Sequence, residues 1–335
     1  MSIPHEALAA EMLDGVLLPG GWKVIRRLAP SSTGGNFGVP YLVENESRPG
    51  KHAFLKALNL RRAAAEQDFA RAVQQYVTAF NFERDTLSIC VDRGLRRVAR
   101  LLDSGEYRIP GAVYPICFII FELADRGDVR KHLDIYTDFN LAWTLRTLHQ
   151  VTVAMSQLHT YGIAHQDLKP SNILLFESFG VKIGDLGCAD TANRPSESPR
   201  GCWPIAGDPG YAPPELHYRE INHDWKVRRV GCDLYLLGNL FVFFFTKIPS
   251  ITALWTRHLD DSHKPGSWAS DYRTVLPYVR DAFEKGLQEF SEAVPERVRA
   301  PITRIVRYLC EPDPAASGAS KRAQGQSVRA SSNRQ

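Results

Sequence analysis

Residues 163–175 read Ile-Ala-His-Gln-Asp-Leu-Lys-Pro-Ser-Asn-Ile-Leu-Leu, so Asp167 is followed two residues on by Lys169 and five residues on by Asn172. That spacing sets a proton acceptor, a cation and an oxygen ligand for a metal on one short stretch of chain. A second carboxylate, Asp185, stands in the glycine-bracketed turn Gly184-Asp185-Leu186-Gly187. The separation of 18 positions (185 − 167) is enough for a loop, a strand hairpin and a second loop, which returns Asp185 beside the first loop. These groups suit the movement of a phosphoryl group, where positioning and charge neutralisation matter more than covalent chemistry. A plain polar surface loop would have to reach the same four residues at the same spacing by coincidence.

The elements that must position them lie on both sides. Residues 1–18 read as a short helix closed by a turn at Pro19-Gly20-Gly21. Trp22–Leu28 and Tyr41–Val43 read as strands around residues 31–39, where Gly35 and Gly38 would let backbone N–H groups approach phosphate oxygens without a Cβ in the way. Thr33 occupies the first glycine position of G-x-G-x-x-G, and an ordinary hairpin turn would use the same residues. Lys51–Leu58 reads as a third strand with Lys56 on it and the bulky Phe54 two residues before. Facing a cleft, that lysine would hold phosphates; facing solvent it would be inert. Arg61–Leu87 has a helical pattern, Val98–Leu102 reads as a fourth strand, and the apolar Ile116–Leu123 as a buried fifth. Beyond it Asp128–Leu133 and Leu141–Tyr161 have helical spacing, the second closing at Gly162. Strands first and helices after predict an α+β fold with a β-rich lobe and a larger α-rich lobe. A cleft between lobes is a natural place for a nucleotide.

The loop His165-Gln-Asp-Leu-Lys-Pro-Ser-Asn172 and the turn Asp185-Leu-Gly187 resemble the catalytic and metal loops of the eukaryotic-type Ser/Thr protein kinases. Gly207-Asp-Pro-Gly-Tyr-Ala-Pro-Pro-Glu215 resembles the end of a kinase activation segment, and Asp233-Leu-Tyr-Leu-Leu-Gly238 the buried helix whose aspartate props up the catalytic loop. The resemblance covers about residues 20 to 314 and is most specific in the middle third. It implies a two-lobed kinase-like fold: an extension over 1–20, an N-lobe over 21–121, a C-lobe over 122–314 and a disordered tail over 315–335. It implies ATP and Mg²⁺ as cofactors and a protein substrate. Asp167 would be the base, Lys169 would neutralise the moving phosphoryl group, and Asn172 and Asp185 would bind the metal. Gly35, Gly38, Lys56, Glu122, Ala124 and Leu174 would hold the nucleotide, with Phe121 at the back of its pocket. Phe80, Glu83 and Leu87 match the helix whose glutamate pairs with the strand lysine; Glu66 is the alternative partner. Glu83 follows Lys56 by 27 residues (83 − 56), which suggests an insertion before that helix.

Several positions depart from the family pattern. Gln166 replaces the arginine that in many kinases meets a phosphate on the activation segment, which suggests activity without that phosphate. Thr191, Ser196 and Ser198 are the hydroxyls such a phosphate would use. Leu186 replaces a phenylalanine, a change of packing only. Asp208 replaces a threonine and either draws a basic substrate or simply forms a turn before Pro209. Ser317 stands where an arginine partner for Glu215 belongs, with Arg322 as a substitute. Two other readings stay open: a pseudokinase that binds without transferring phosphate, and a small-molecule phosphotransferase of the aminoglycoside type, which is not expected to carry the 207–215 segment.

Composition narrows the surroundings. At 335 residues with 44% hydrophobic and 23% charged residues, the chain has the balance of a soluble globular protein. A net charge of +4 at this length gives no argument for nucleic acid. The six cysteines at 90, 117, 188, 202, 232 and 310 have no metal-ligand spacing and fit reduced thiols in a cytoplasmic protein, with Cys188 and Cys202 the one candidate pair for a bridge under oxidation. The N-terminus lacks the pattern of a signal peptide. The apolar run Leu234–Phe245 is too short for a bilayer and reads as a buried helix.

Overall fold

The computed structural model describes residues 9–29, 38–61, 63–109, 114–135, 139–193 and 205–316. The chain forms two compact units, one of Met1–Thr137 with Leu174–Gly187, the other of Asp138–Ile173 with Cys188–Gln335.

The first unit is built on a six-stranded antiparallel sheet: β1 (Leu17–Leu18), β2 (Trp22–Arg27), β3 (Gly38–Asn45), β4 (His52–Leu58), β5 (Leu101–Tyr107) and β6 (Ile116–Glu122), in the order β1-β2-β3-β4-β6-β5. Period-two alternation puts Val39, Tyr41 and Val43 of β3 on the same face as Ala53, Leu55 and Ala57 of β4, and all six are buried in one apolar cluster. Lys56 therefore falls on the opposite face, as does Phe54, whose ring lies 6.2 Å from that of Phe121. The ladders from β3 through β4 to β6 run without a shift, so Phe54 is accommodated in a regular strand and no bulge forms.

The helix α1 (Phe69–Asp92) crosses this unit, started by the Asp68 carboxylate accepting from the Arg71 amide at 3.0 Å and stopped before Gly94 at φ +65°. The expected helix over Arg61–Leu87 thus begins later, after a single 3-10 turn at Ala63–Ala65. Glu83 lies 14 residues into α1 (83 − 69), so much of the long spacing from Lys56 is helix rather than inserted loop. The expected N-terminal helix is also replaced. Residues 9–11 make one 3-10 turn, and Gly15 at φ +77° turns the chain into β1. Tyr41 Oη donates to the Ala10 carbonyl at 2.8 Å and pins this segment over the sheet core. The fourth strand starts at Leu101 rather than Val98, which makes only a single bridge to Ile183. The short α2 (Val129–Ile135) follows β6.

The second unit is mainly helical. α3 (Leu141–Thr160) starts at the cap Asn140, whose side chain accepts from the Trp143 amide at 3.0 Å, and ends before Gly162 at φ +67°. The chain then forms β7 (Ile163–Ala164) and, after the hairpin of β8 (Ile173–Phe176) with β9 (Gly180–Ile183) that belongs almost wholly to the first unit, β10 (Asp190–Thr191), which pairs with β7. α4 (Pro214–His217), α5 (Gly231–Thr246), α6 (Ile251–Trp255), α7 (Tyr272–Ala293) and α8 (Glu296–Leu309) complete it. The stretch Lys226–Thr246, a π-helical turn running into α5, is long and apolar enough to cross a membrane by length and composition, yet Cys232, Tyr235 and Leu236 through Phe244 are buried in the unit's core. α5 and α8 approach so closely that a Cβ on Gly238 would fall 2.2 Å from Cys310 Sγ, which restricts that position to glycine.

Candidate active site

In the first unit one cation gathers two carboxylates that lie far apart in sequence. Lys56 Nζ donates to Glu83 Oε1 at 2.9 Å and Oε2 at 2.8 Å, and to Asp185 Oδ1 at 3.4 Å. Of the two glutamates offered by the sequence, the structure selects Glu83, which is buried on the inner face of α1. Burial opposes the lysine's charge, but the Asp185 and Glu83 carboxylates outweigh it and hold the ammonium above the ordinary lysine range. Asp185 adopts a left-handed φ of +61°, a strained conformation for a non-glycine residue, and keeps 41% of its side chain exposed. The glycines around this cluster leave it room: a Cβ on Gly187 would sit 3.2 Å from Asp185 Oδ1, and one on Gly38 would sit 2.5 Å from Lys56 Cγ.

The other nucleotide positions divide. Leu174 packs under Gly184, where an added Cβ would lie 2.8 Å from Leu174 Cδ1. Glu122 and Ala124 sit at the end of β6, with Ala124 O accepting from Gly127 N in a tight turn. The Glu122 carboxylate is used locally, accepting from Lys182 Nζ at 2.5 Å and from the Arg100 amide at 2.7 Å. Gly35 and Thr33 lie outside the described residues, as do Ser196, Ser198, Cys202, Ser317 and Arg322.

In the second unit the loop after β7 is tied to itself. Asp167 Oδ2 lies 3.0 Å from Lys169 Nζ, and Asp167 Oδ1 accepts from the Asp208 amide at 3.0 Å. Asn172 Nδ2 donates to the Asp167 carbonyl at 2.7 Å, which leaves the amide oxygen as the end able to meet a cation. Gly207 passes so near that a Cβ there would lie 2.3 Å from the Gln166 carbonyl and 2.7 Å from Asp167 Oδ1. Asp208 itself turns its carboxylate onto the Gly210 amide at 3.0 Å, the turn-forming use of the residue, while remaining 3.9 Å from Lys169 Nζ. Thr191 is buried in β10, so its hydroxyl is closed to a modifying enzyme.

Beneath that loop lies Asp233 of α5, with no exposed surface. Its carboxylate accepts from the His165 amide at 2.8 Å, the Gln166 amide at 2.8 Å, Gln166 Nε2 at 2.9 Å and His159 Nε2 at 2.7 Å. Gln166 is itself left-handed at φ +64° and buried. Two residues that the sequence reading did not single out complete the arrangement. Arg229 Nε donates to Asp190 Oδ2 at 2.7 Å, and Arg229 Nη1 to Gln166 Oε1 at 3.2 Å.

The donor set fits a nucleotide phosphate with a hard divalent cation. Carboxylate and carboxamide oxygens suit Mg²⁺, which is held by one or two protein carboxylates plus substrate phosphates rather than by a full protein cage. Consistent with that habit, no group of three or more His, Cys, Asp or Glu side chains forms a metal cage among the described residues.

Comparison with known proteins points the same way. The family described as "Protein kinase domain" matches residues 35–315. An Aurora kinase of Debaryomyces hansenii is 29% identical over 173 residues, covering 50% of this chain and 40% of that protein. Serine/threonine-protein kinase PLK4 of Danio rerio is 30% identical over 133 residues, 39% of this chain and 13% of its own. LysM domain receptor-like kinase 10 of Oryza sativa is 33% identical over 125 residues, 36% of this chain and 21% of its own. The chain spans well under half the length of these curated relatives. With the family match running over most of its 335 residues, the chain belongs to the protein kinase domain family.

Proposed function

We propose that this chain is an ATP-dependent protein kinase that transfers the γ-phosphoryl group to Ser/Thr hydroxyls of a protein substrate. The observation that carries the reading is the ion cluster of Lys56 with Glu83 at 2.8 Å and Asp185 at 3.4 Å. A charged lysine held beside two carboxylates, one of them still exposed, is equipment for holding nucleotide phosphates. Lys56 holds the α- and β-phosphates, with Gly35 and Gly38 covering them. The backbone of Glu122 and Ala124 takes the adenine, Leu174 lies against it, and Phe54 and Phe121 narrow the pocket. Asp185 would be the first unit's ligand for Mg²⁺, and the bound ion would neutralise charge on the phosphates.

Asp167 accepts the proton of the acceptor hydroxyl, a role worth roughly 10²–10⁴-fold in rate. Lys169, 3.0 Å from that carboxylate, offsets the charge of the group in transit. The name of the PLK4 relative, serine/threonine-protein kinase, supports serine and threonine as acceptors. The segment from Gly207 to Glu215 supports a protein rather than a small-molecule acceptor. A reducing, cytoplasmic setting suits the free thiols of Cys90, Cys117, Cys232 and Cys310.

Incubation with labelled ATP, Mg²⁺ and a generic protein acceptor, beside Asp167→Ala, tests the reading. Transfer to Ser or Thr in the wild type, reduced at least about a hundredfold in the variant, is expected. Equal background in both removes the enzyme in favour of the pseudokinase, and label on Tyr removes the acceptor class.

A further inference from the structure

Arg229 and Asp190 form an ion pair in which each side chain is only 1% exposed. Replacing a buried pair by apolar residues of similar volume is often neutral or stabilising, so stability alone is a weak reason for such a pair to exist. Its connections suggest another reason. Asp190 belongs to β10, which follows the Asp185 turn and pairs through Asp190 with Ala164 and through Thr191 with Ile163. Arg229 stands in the turn leading into α5, and reaches Gln166 twice: Nη1 donates to Gln166 Oε1 at 3.2 Å, and its carbonyl accepts from Gln166 Nε2 at 2.8 Å. Gln166 is the residue immediately before Asp167. An unbroken path of polar contacts thus runs from the start of the activation segment, through Arg229, to the residue before the base.

The charges are arranged to be self-sufficient. An arginine at 166 would set a second cation beside Arg229 in this buried site and would remove the acceptor that Gln166 Oε1 offers to Arg229 Nη1. The neutral Gln166 avoids this and offers Arg229 an acceptor instead. Where a phosphate on the segment would bring an anion to an arginine of the catalytic loop, this chain carries the anion as Asp190 and the cation as Arg229, both from within. Thr191, next to Asp190, is buried and supplies no site for an added phosphate.

We propose that the Asp190–Arg229 pair fastens β10 to the catalytic loop through Gln166 and so substitutes permanently for activation-segment phosphorylation, making Asp190 and Arg229 positioning residues for Asp167. The proposal rests on the protein-kinase reading above, and it deepens that reading by naming how the site is kept in order. It requires two things. Activity survives removal of all phosphate, and loss of the pair loosens residues 163–167 without touching the Lys56 cluster.

The test combines kinetics with amide hydrogen exchange on the full chain. Phosphatase-treated wild type is expected to keep its kcat within about twofold. Asp190→Asn is expected to lower kcat at least about tenfold while the KM for ATP stays within about twofold, and Asp190→Glu to restore part of the loss. Amides of 163–167 are expected to exchange about tenfold faster in Asp190→Asn, with those of α1 and β4 unchanged. Loss of activity on phosphatase treatment overturns the proposal, as does unchanged exchange at 163–167. Should Asp190→Asn fail to fold, Gln166→Arg reads the same contact from its other side: faster exchange at 163–167 supports the pair, and wild-type exchange overturns it. A wild-type chain that transfers no phosphate refutes the kinase reading, while the exchange result still decides whether the pair orders the loop.

Discussion

Asp233 and Glu215 are two carboxylates of the helical unit, and they are treated in opposite ways. Asp233 has no exposed surface and receives four hydrogen bonds, two of them from the backbone of the catalytic loop. Glu215 is partly buried at the N-terminal end of α4, and among the described residues no cation pairs with it. Burial raises its carboxyl to about 8, helped by the negative charges of Asp313 and Glu220 and only partly opposed by its own backbone amide. Burial alone therefore does not decide how a carboxylate behaves here. What decides is whether donors converge on it. Asp233 uses its donors to fix the shape of the loop that carries Asp167. Glu215, with no cation against it among the described residues, holds its proton to higher pH instead.

The largest effect should come from removing the satisfied carboxylate. Asp233→Ala strips the acceptor from two buried amides, a carboxamide and an imidazole at once, and should cost about 3–5 kcal/mol in a urea titration. The remaining folded fraction should transfer phosphate far more slowly, since the left-handed Gln166 loses its anchor. If Asp233→Ala costs no more than Glu215→Ala, the contrast between the two sites is wrong.

Glu215 makes the opposite prediction, and its sign is set by the raised value. The folded chain holds the proton up to about pH 8, while an unfolded glutamate releases it near its ordinary 4.5. Between those values the folded state binds more protons, so stability is full below about pH 4.5 and falls as the pH rises toward about 8. Glu215→Gln, which cannot ionise, should leave stability nearly unchanged at pH 5 and raise it by about 2–4 kcal/mol at pH 8.5. Thermal midpoints of both proteins across that range check it. A wild-type curve parallel to that of the variant would mean that a cation reaches Glu215 after all.

This contrast also marks how far the sequence could be read. Asp167, Lys169, Asn172 and Asp185 are legible because their chemistry forces types and spacing over a short stretch. Glu83 is legible as one of two candidates, since helical spacing survives even when the length of the preceding connection does not. The N-terminal helix fails because residues 1–18 have helical composition, whereas Gly15 and the hydrogen bond from Tyr41 to Ala10 turn the chain into a strand. Arg229 and Asp190 escape because an ion pair spanning 39 residues leaves no periodic trace. The same holds for Glu215: the Ser317 in place of an arginine can be seen in a motif, but the raised carboxyl depends on burial and on Asp313 and Glu220, which only the fold brings near.

The smallest effect separates the side-chain donors of Asp233 from its backbone donors. His159 Nε2 lies 2.7 Å from Asp233 Oδ2, and a carboxylate only accepts, so that nitrogen carries the proton. His159→Phe keeps a ring in place and removes one donor of four. Three donors remain, two of them main-chain amides that no substitution removes, so the loss should be about 1 kcal/mol. Because the loop amides still reach Asp233, kcat should fall by less than about threefold, far less than in Asp233→Ala. Combining His159→Phe with Asp233→Asn gives the coupling directly: the double variant should cost less than the sum of the single ones, because the imidazole donor has lost its charged acceptor. Strict additivity would mean that His159 stabilises α3 by packing alone, and that the catalytic loop is held entirely by its own backbone.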